Sequence, residues 1–196
     1  MLKRRNGSTW LSALVQKWTN YSMDAMSSAK RAIHDLYDGL RAGGADFVVH
    51  LPDSVLFKVI PLLESDPAVQ VYACSREDEG VAMAAGAYLA GKLPVAVMEG
   101  SGVGYAGLIL ARAMLQRTPM LVLSSHTRTL GEPYDYHLAG CVASEGVFRG
   151  LGIPHLAIYD RAQIRQSVEQ ALVTVRGQKS IVGLMFASYL FDEAKK

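Results

Sequence analysis

The sequence is short of cysteine, of charge and of long apolar runs, and each shortage narrows what the chain can be. Only Cys74 and Cys141 occur in 196 residues, with no Cys-x-x-Cys pair. That excludes a disulfide framework or a thiolate zinc site, and suits reduced core or loop thiols in a cytoplasmic protein. The histidines offer no substitute, because His50, His126, His137 and His155 have no metal-ligand spacing among themselves. Charged residues make up 19% of the chain, the formal net charge is +2, and no basic stripe is interleaved with aromatics. No nucleic-acid partner is expected on that balance. No apolar run reaches the length that crosses a bilayer, so no membrane partner is expected either. Half of the residues are hydrophobic. What is left is a globular composition of the kind that goes with a buried subunit interface, on a length that suits one core.

The first two dozen residues differ from the rest. Met1-Leu2-Lys3-Arg4-Arg5 is basic, the first acid is Asp24, and Trp10, Leu11, Leu14, Val15 and Trp18 have weak helical spacing. The apolar stretch Trp10 to Val15 is short for a secretory core and is broken by Gln16 and Lys17. Residues 1–24 therefore read as an extension that is mobile or binds a partner, and residues 25–196 as the domain.

Inside the domain, apolar strands alternate with helices. Ser27 or Ser28 can cap a helix carrying Ala29, Ile33, Leu36, Tyr37 and Leu40, which stops at Gly43-Gly44. Strands are expected at 46–51, 69–74, 93–98, 119–123, 155–159 and 180–186. Helices are expected at 54–63, from the acid cluster to Gly91, from a glycine-rich turn at 100–104 to about Arg117, at 142–151 and at 161–175. The stretch 126–140 has no periodicity and reads as a long loop, which in a compact domain is usually functional. Continuously apolar strands of this kind call for an α/β fold: a single three-layer domain with a parallel sheet of about six strands, covered by helices on both faces. Ligands bind outside the carboxyl ends of such strands. Four polar or glycine-rich loops leave those ends: Pro52-Asp53-Ser54, Ser75-Arg76-Glu77, Glu99 to Gly104, and Ser124 to Gly140.

Three acids, Glu77, Asp78 and Glu79, crowd one turn ahead of a run of alanine and glycine that ends at Gly91. A helix so small on every side is expected to be buried all round. Ser75 to Asp78 can form a capping box, and first-turn acids suit the helix dipole. Equally, one of the carboxyls can sit in an apolar site and handle a proton, and residue type alone leaves both readings open. Gly102-Val103-Gly104-Tyr105-Ala106-Gly107 is a literal G-x-G-x-x-G after a strand. It follows the third strand, and about twenty residues onward stand Ser124 and Ser125 in place of an acid for a ribose, so a dinucleotide-binding domain is an alternative only. Ser101 lacks the glycine two residues before it that a nucleophile elbow requires, Glu99 standing there instead.

The segment Arg76 to Tyr88, followed by Gly91-Lys92 and a strand, resembles the pyrimidine-binding domain of thiamine-diphosphate enzymes, in particular the decarboxylases of sulfopyruvate and phosphonopyruvate. Leu51 to Leu56, Met98 to Gly104, and Ser125-His126 with Thr129-Leu130-Gly131-Glu132 fit the same pattern in order. The resemblance implies that Glu77, nine residues before Gly86, hydrogen-bonds the aminopyrimidine ring and, by sharing a proton with it, activates the cofactor. A desolvated carboxyl suits that task. It also implies cofactor contacts at Ser101, Gly102 and Gly104, and substrate contacts at Asp53, Ser54, His126 and Arg128. The family holds the diphosphate and its Mg2+ with a Gly-Asp-Gly segment, which is absent here. The implied partner is a beta subunit that supplies those ligands in a hetero-oligomer, leaving no metal site in this chain.

The implied reaction is decarboxylation of a small 2-oxo acid. Two departures keep alternatives open. The family's arginine after the histidine is moved one place, to Arg128, and Pro133-Tyr134-Asp135-Tyr136-His137 is more aromatic than the family pattern. A carboligase or carbon–carbon lyase acting on another, even aromatic, substrate is the first alternative. A non-catalytic assembly subunit is another, in which bulky residues at Ala84 or Ala85 would abolish complex formation.

Overall fold

The computed structural model describes residues 27–130, 132 and 134–192. The expectations for residues 1–24 lie outside that range. The helices are α1 (Ser28–Ala42), α2 (Ile60–Glu64), α3 (Glu77–Leu89), α4 (Gly100–Tyr105), α5 (Gly107–Leu115), α6 (Tyr136–Leu151) and α7 (Arg161–Gln178). The strands are β1 (Phe47–His50), β2 (Gln70–Ala73), β3 (Pro94–Met98), β4 (Leu121–His126), β5 (His155–Ile158) and β6 (Val182–Ala187). The sheet runs β2-β1-β3-β4-β6-β5, and every neighbouring pair is parallel.

The period of two along each strand sorts the core into two layers. Val48, Val95, Val97, Leu121, Leu123 and Leu184 pack with Leu36 and Leu40 of α1 and with Ile164, Val168 and Leu172 of α7. Val49, Ala96, Met98, Val122 and Met185 face the other way, onto Val81, Val103, Leu110 and Phe148 of α3 to α6. β3, β4 and β6 are buried along their whole length, which is why their sequences show no polar alternation. From β1 the chain goes outward to β2 and then crosses back to β3, so the winding reverses around β1. That reversal opens a crevice at the carboxyl ends of β1 and β3.

Local chemistry sets several boundaries. The Ser27 hydroxyl caps α1 by accepting from Lys30 N at 3.3 Å, and Asp160 caps α7 by accepting from Ala162 N at 3.0 Å. The helix expected at 54–63 is instead a 3-10 turn, Leu56–Val59, followed by the short α2. Its cause is Asp53, whose Oδ1 accepts from Val55 N at 2.7 Å and tightens the turn, while Pro61 suits only the first turn of the helix that follows.

Two further expectations are corrected. The glycine-rich turn is helix α4, and α6 begins at Tyr136 rather than Val142, which shortens the long loop to 127–135. Both helices are built from small residues because their backbones cross closely. A Cβ on Gly100 would stand 2.9 Å from Ser125 O and 3.3 Å from Gly140 O, and one on Gly104 would stand 3.0 Å from Ala143 Cβ. Helix α3 is buried on one side only: Gly80, Val81, Ala84, Ala85 and Ala87 face the core, while Ala82, Gly86 and Leu89 are exposed.

Gly183 in β6 is where the sheet is least tolerant of added volume. A Cβ there would meet Phe148 Cζ at 2.7 Å and Cε2 at 2.8 Å. Gly183→Ala is expected to destabilise the domain by about 1–3 kcal/mol through overpacking. A Cβ at Gly86 meets nothing within 4 Å, so Gly86→Ala should stabilise α3 by about 0.5–1 kcal/mol. Urea unfolding of the two variants measures both, and equal midpoints would remove this account of the glycines.

Candidate functional site

The structure separates the three acids at the start of α3. Arg76 donates to both oxygens of Asp78, through Nε and Nη2 at 2.9 Å each, and holds that carboxyl below the usual range. Glu79 Oε2 accepts from Ser75 N at 3.0 Å, one residue ahead of the N-cap Arg76, and the capping box expected of Ser75 and Asp78 does not form. Glu77 makes no hydrogen bond among the described residues. Its side chain rests on α4 where Gly102 leaves room: a Cβ at Gly102 would stand 2.8 Å from Glu77 Oε1 and 2.9 Å from Cδ. The carboxyl is half-buried rather than enclosed, and it borders an open cleft with Arg76, Asp78 and Tyr105.

Ser101 and Gly104 sit on the next stretch of that wall, in a cleft of about 410 Å³ shared with Tyr105, Tyr136, Ala139, Gly140 and Ala143. The glycines of the G-x-G-x-x-G motif lie within or at the start of helices. Gly102 receives Glu77, Gly104 meets Ala143 and Gly107 meets Val147. They serve packing, and the phosphate loop that a dinucleotide would need is not formed.

Asp53 is 4% exposed. Burial lifts its carboxyl to about 6, opposed by the Val55 and Leu56 backbone N–H groups and the Ser125 hydroxyl, while the Glu99 charge pushes it further up. Glu99 and Ser125 belong to the same corner, where Gly100 N donates to Ser125 Oγ at 3.3 Å. Ser54 beside it is exposed. His126, the last residue of β4, is 1% exposed. Its Nε2 is 2.9 Å from Tyr159 Oη and 4.0 Å from Glu145 Oε1. Arg128 is apart from it and exposed, lining an open cavity of about 510 Å³ with Thr127, Thr129, Leu130, Glu132, Tyr134, Asp135 and Leu138.

The expected residues thus form three groups along one edge: Glu77 on Gly102, Asp53 with Glu99 and Ser125, and His126 with Tyr159 and Glu145. Six buried side-chain nitrogen or oxygen atoms lack a hydrogen-bond partner among the described residues, and four of them are on this edge: His50 Nδ1, Asp53 Oδ2, Ser124 Oγ and His126 Nδ1. Buried polar atoms are nearly always paired, so this concentration makes the edge a candidate ligand site. Sequence reasoning missed Glu99, Glu145 and Tyr159. Glu99 alone had a signal, an acid closing a wholly apolar strand.

Residues 30–145 match the family described as thiamine pyrophosphate enzyme, N-terminal TPP binding domain. This chain belongs to that family. It is 32% identical over 156 residues to the sulfopyruvate decarboxylase subunit alpha of Methanothermobacter thermautotrophicus, covering 79% of this chain and 94% of that protein. It is also 32% identical over 114 residues to the phosphonopyruvate decarboxylase of Streptomyces viridochromogenes, covering 57% of this chain and 29% of that protein. The fold is shared with a solved 2-oxoglutarate:ferredoxin oxidoreductase from Magnetococcus marinus, with a TM-score of 0.66 at 19% identity over 84% of this chain and 29% of that one.

As a TPP-binding domain, the chain fits half of its cofactor. An unpartnered carboxyl on a glycine cradle suits a nitrogen ring that both donates and accepts protons. For the diphosphate, no Gly-Asp-Gly occurs in the sequence, and among the described residues no group of three or more His, Cys, Asp or Glu is placed to hold a metal ion.

The corner around Asp53 gives a pH test. The folded carboxyl titrates at about 6 and the unfolded one near its ordinary value of about 4. Between those values the folded state keeps a proton that the unfolded state has released. The stabilisation by the neutral form is therefore complete at low pH and lost as pH rises through 6, a total of about 3 kcal/mol. Asp53→Asn keeps the acceptor for Val55 N without the charge, so its melting temperature should exceed the wild type's at pH 8 and match it at pH 4. A difference independent of pH would contradict this.

Proposed function

We propose that this chain is the pyrimidine-binding subunit of a two-subunit thiamine-diphosphate-dependent decarboxylase acting on a small 2-oxo acid. The observation that carries the reading is Glu77, the only one of three clustered acids left without a partner, standing over a position that lacks a side chain at the edge where buried polar atoms wait for ligands. When bound, the cofactor supplies the electron sink that takes up the electron pair left as carbon dioxide departs. Glu77 holds and exchanges the proton on the pyrimidine ring, with Gly102 behind it. Ser101 and Gly104 line the wall for the ring. Asp53 keeps a proton near the reacting carbons only below about pH 6, and Ser54 and His126 complete the substrate side. Arg128 offers a planar fork to an anionic group of the substrate.

The diphosphate and Mg2+ would be held by a beta subunit, since this chain has no Gly-Asp-Gly and the relative it covers almost entirely is itself named as a subunit. That subunit would close the open side of the Glu77 cleft and supply the desolvation that this chain alone does not. No helix of the described residues is long and apolar enough to cross a membrane, and a cytoplasmic location belongs to the same proposal. One observation favours a bulkier substrate or a carboligation: the rings of Tyr134 and Tyr136 stack 5.4 Å apart beside the Arg128 cavity. Product analysis with aliphatic and aromatic 2-oxo acids, with and without an aldehyde acceptor, separates the two.

Glu77→Gln in a complex reconstituted with the beta chain should lower turnover about a hundredfold or more, in the range of a lost acid–base group, without changing assembly. Turnover near the wild-type rate would sink the assignment. Ala84 and Ala85 face the core, so the surface test moves to the exposed side of α3. Gly86→Leu should fold and yet fail to join the beta chain in size-exclusion chromatography.

A further inference from the structure

Cys141 is 1% exposed on α6 and plays no part in the site described above. Its sulfur is nevertheless the most heavily hydrogen-bonded side-chain atom in that region. Thr127 N donates to Sγ at 3.0 Å and Arg128 N at 3.1 Å, and Thr127 Oγ1 lies 3.3 Å away. Two successive backbone N–H groups converging on one atom form a nest, an arrangement that favours negative charge. The loop that lines the Arg128 cavity is thus tied to α6 at its first two residues, and Cys141 is the tie.

A proton count adds a switch to the clamp. The Thr127 hydroxyl has one proton, which goes to His137 O at 3.2 Å. While it does, the contact with Cys141 is made by the thiol donating to Oγ1. When the thiol is ionised the two backbone N–H bonds become charge-assisted and shorten, drawing Thr127 and Arg128 toward the sulfur, the hydroxyl turns to the sulfur, and His137 O in the first turn of α6 is released. The groups facing this cluster are His126 at the end of β4, Glu145 one turn along α6, Arg128 on the loop, and Tyr159, whose backbone oxygen accepts from Tyr189 Oη at 2.8 Å. The face that α4 turns toward α6 is Gly100, Ser101 and Gly104, which carry no titratable group. His126 Nδ1, buried and without a partner of normal geometry, belongs to the same cluster.

We propose that Cys141 is a positioning residue whose sulfur clamps Thr127 and Arg128, so that its charge state sets where Arg128 stands at the substrate cavity. The substrate role of that cavity rests on the function proposed above; the clamp does not. Burial raises the thiol, but the neighbouring His126 ring and the Thr127 donors outweigh it and bring it to about 7. Cys74, by contrast, is pushed up by burial and by Glu79. The two thiols should therefore titrate far apart.

Two measurements on the full chain test this. In the first, ¹³Cβ-labelled cysteine and ¹⁵N amides are followed by NMR across pH 5 to 10. One cysteine signal, absent in Cys141→Ser, should move with a midpoint near 7, and the Thr127 and Arg128 amide protons should move with it. A Cys141 midpoint above 9, or amides that do not follow the thiol, overturns the clamp whether or not the complex decarboxylates anything. In the second, the reconstituted complex is assayed with an anionic 2-oxo acid. Cys141→Ser should raise KM about tenfold with kcat within about twofold, the expected loss of a charge-assisted hydrogen bond that acts on binding. The rise of the wild-type KM below pH 7 should vanish in the variant. An unchanged KM and pH profile overturns the link to substrate, and a complex with no decarboxylase activity overturns the proposed function while the NMR result still decides the clamp.

Discussion

Glu77 can stand at the reversal of the sheet only because the residue beneath it has no side chain. The constraint is steric and spreads outward. Gly102 is buried in α4, and α4 is pressed between Glu77 on one side and α6 on the other. For α4 to lie that low over the ends of β3 and β4, Gly100 must pass Ser125 O and Gly140 O, and Gly104 must pass Ala143. A methyl at any of these points would lift the helix by a few tenths of an ångström or more. Because α3 and α6 both rest on α4, one displacement would shift Glu77 and the 127–135 loop together. The flexible glycine motif that the sequence suggests is in the folded chain a rigid spacer, set by contact distance rather than by backbone freedom.

On this spacer the fold leaves polar groups unsatisfied at one edge. The carboxyl ends of β1 and β4 leave Asp53 Oδ2, Ser124 Oγ, His50 Nδ1 and His126 Nδ1 buried without partners among the described residues. Each such group lowers stability by about 1–3 kcal/mol. Asp53 carries its share as a pushed-up carboxyl, so the destabilisation grows with pH. A ligand that satisfies these atoms recovers that energy as binding free energy, by the linkage that couples any native-state ligand to stability.

Most of the fold was legible in the sequence because it depends on patterns that local residue type determines. Six apolar strands, the helices between them and the cap at Ser27 follow from periodicity and end signals. Two of the failures share one physical origin. The glycines at 100–104 and the stretch 126–140 were read as a turn and a loop, whereas tertiary contact uses Gly100, Gly104 and Gly140 for the closeness they permit between helices. Glu77 was identified by register within a family pattern; its distinction from Asp78 and Glu79 rests in the structure on Arg76 and Ser75 engaging the other two. Tyr159 and Glu145 were invisible because they meet His126 across the sheet edge from distant segments, and no spacing encodes that contact.

The one-sided burial of α3 gives the final step. A helix of small residues has little apolar side chain of its own to bury, so its tertiary stabilisation comes from neighbours that approach its backbone closely, and here only the Ala84–Ala85 side has them. The opposite side, with Ala82 and Gly86, has the same composition but no neighbour among the described residues, and Leu89 and Tyr105 are 74% and 78% exposed nearby. Composition that resembles a buried helix, combined with exposure, marks this side for a second contact that the described residues do not supply. Its position next to Glu77 means that whatever covers α3 also closes the cleft in which the carboxyl lies. Under the proposed function, enclosure of the acid and assembly of the complex would then be one event: the carboxyl, half-buried among the described residues, would lose its remaining water when the other half of the cofactor site arrives on the partner subunit.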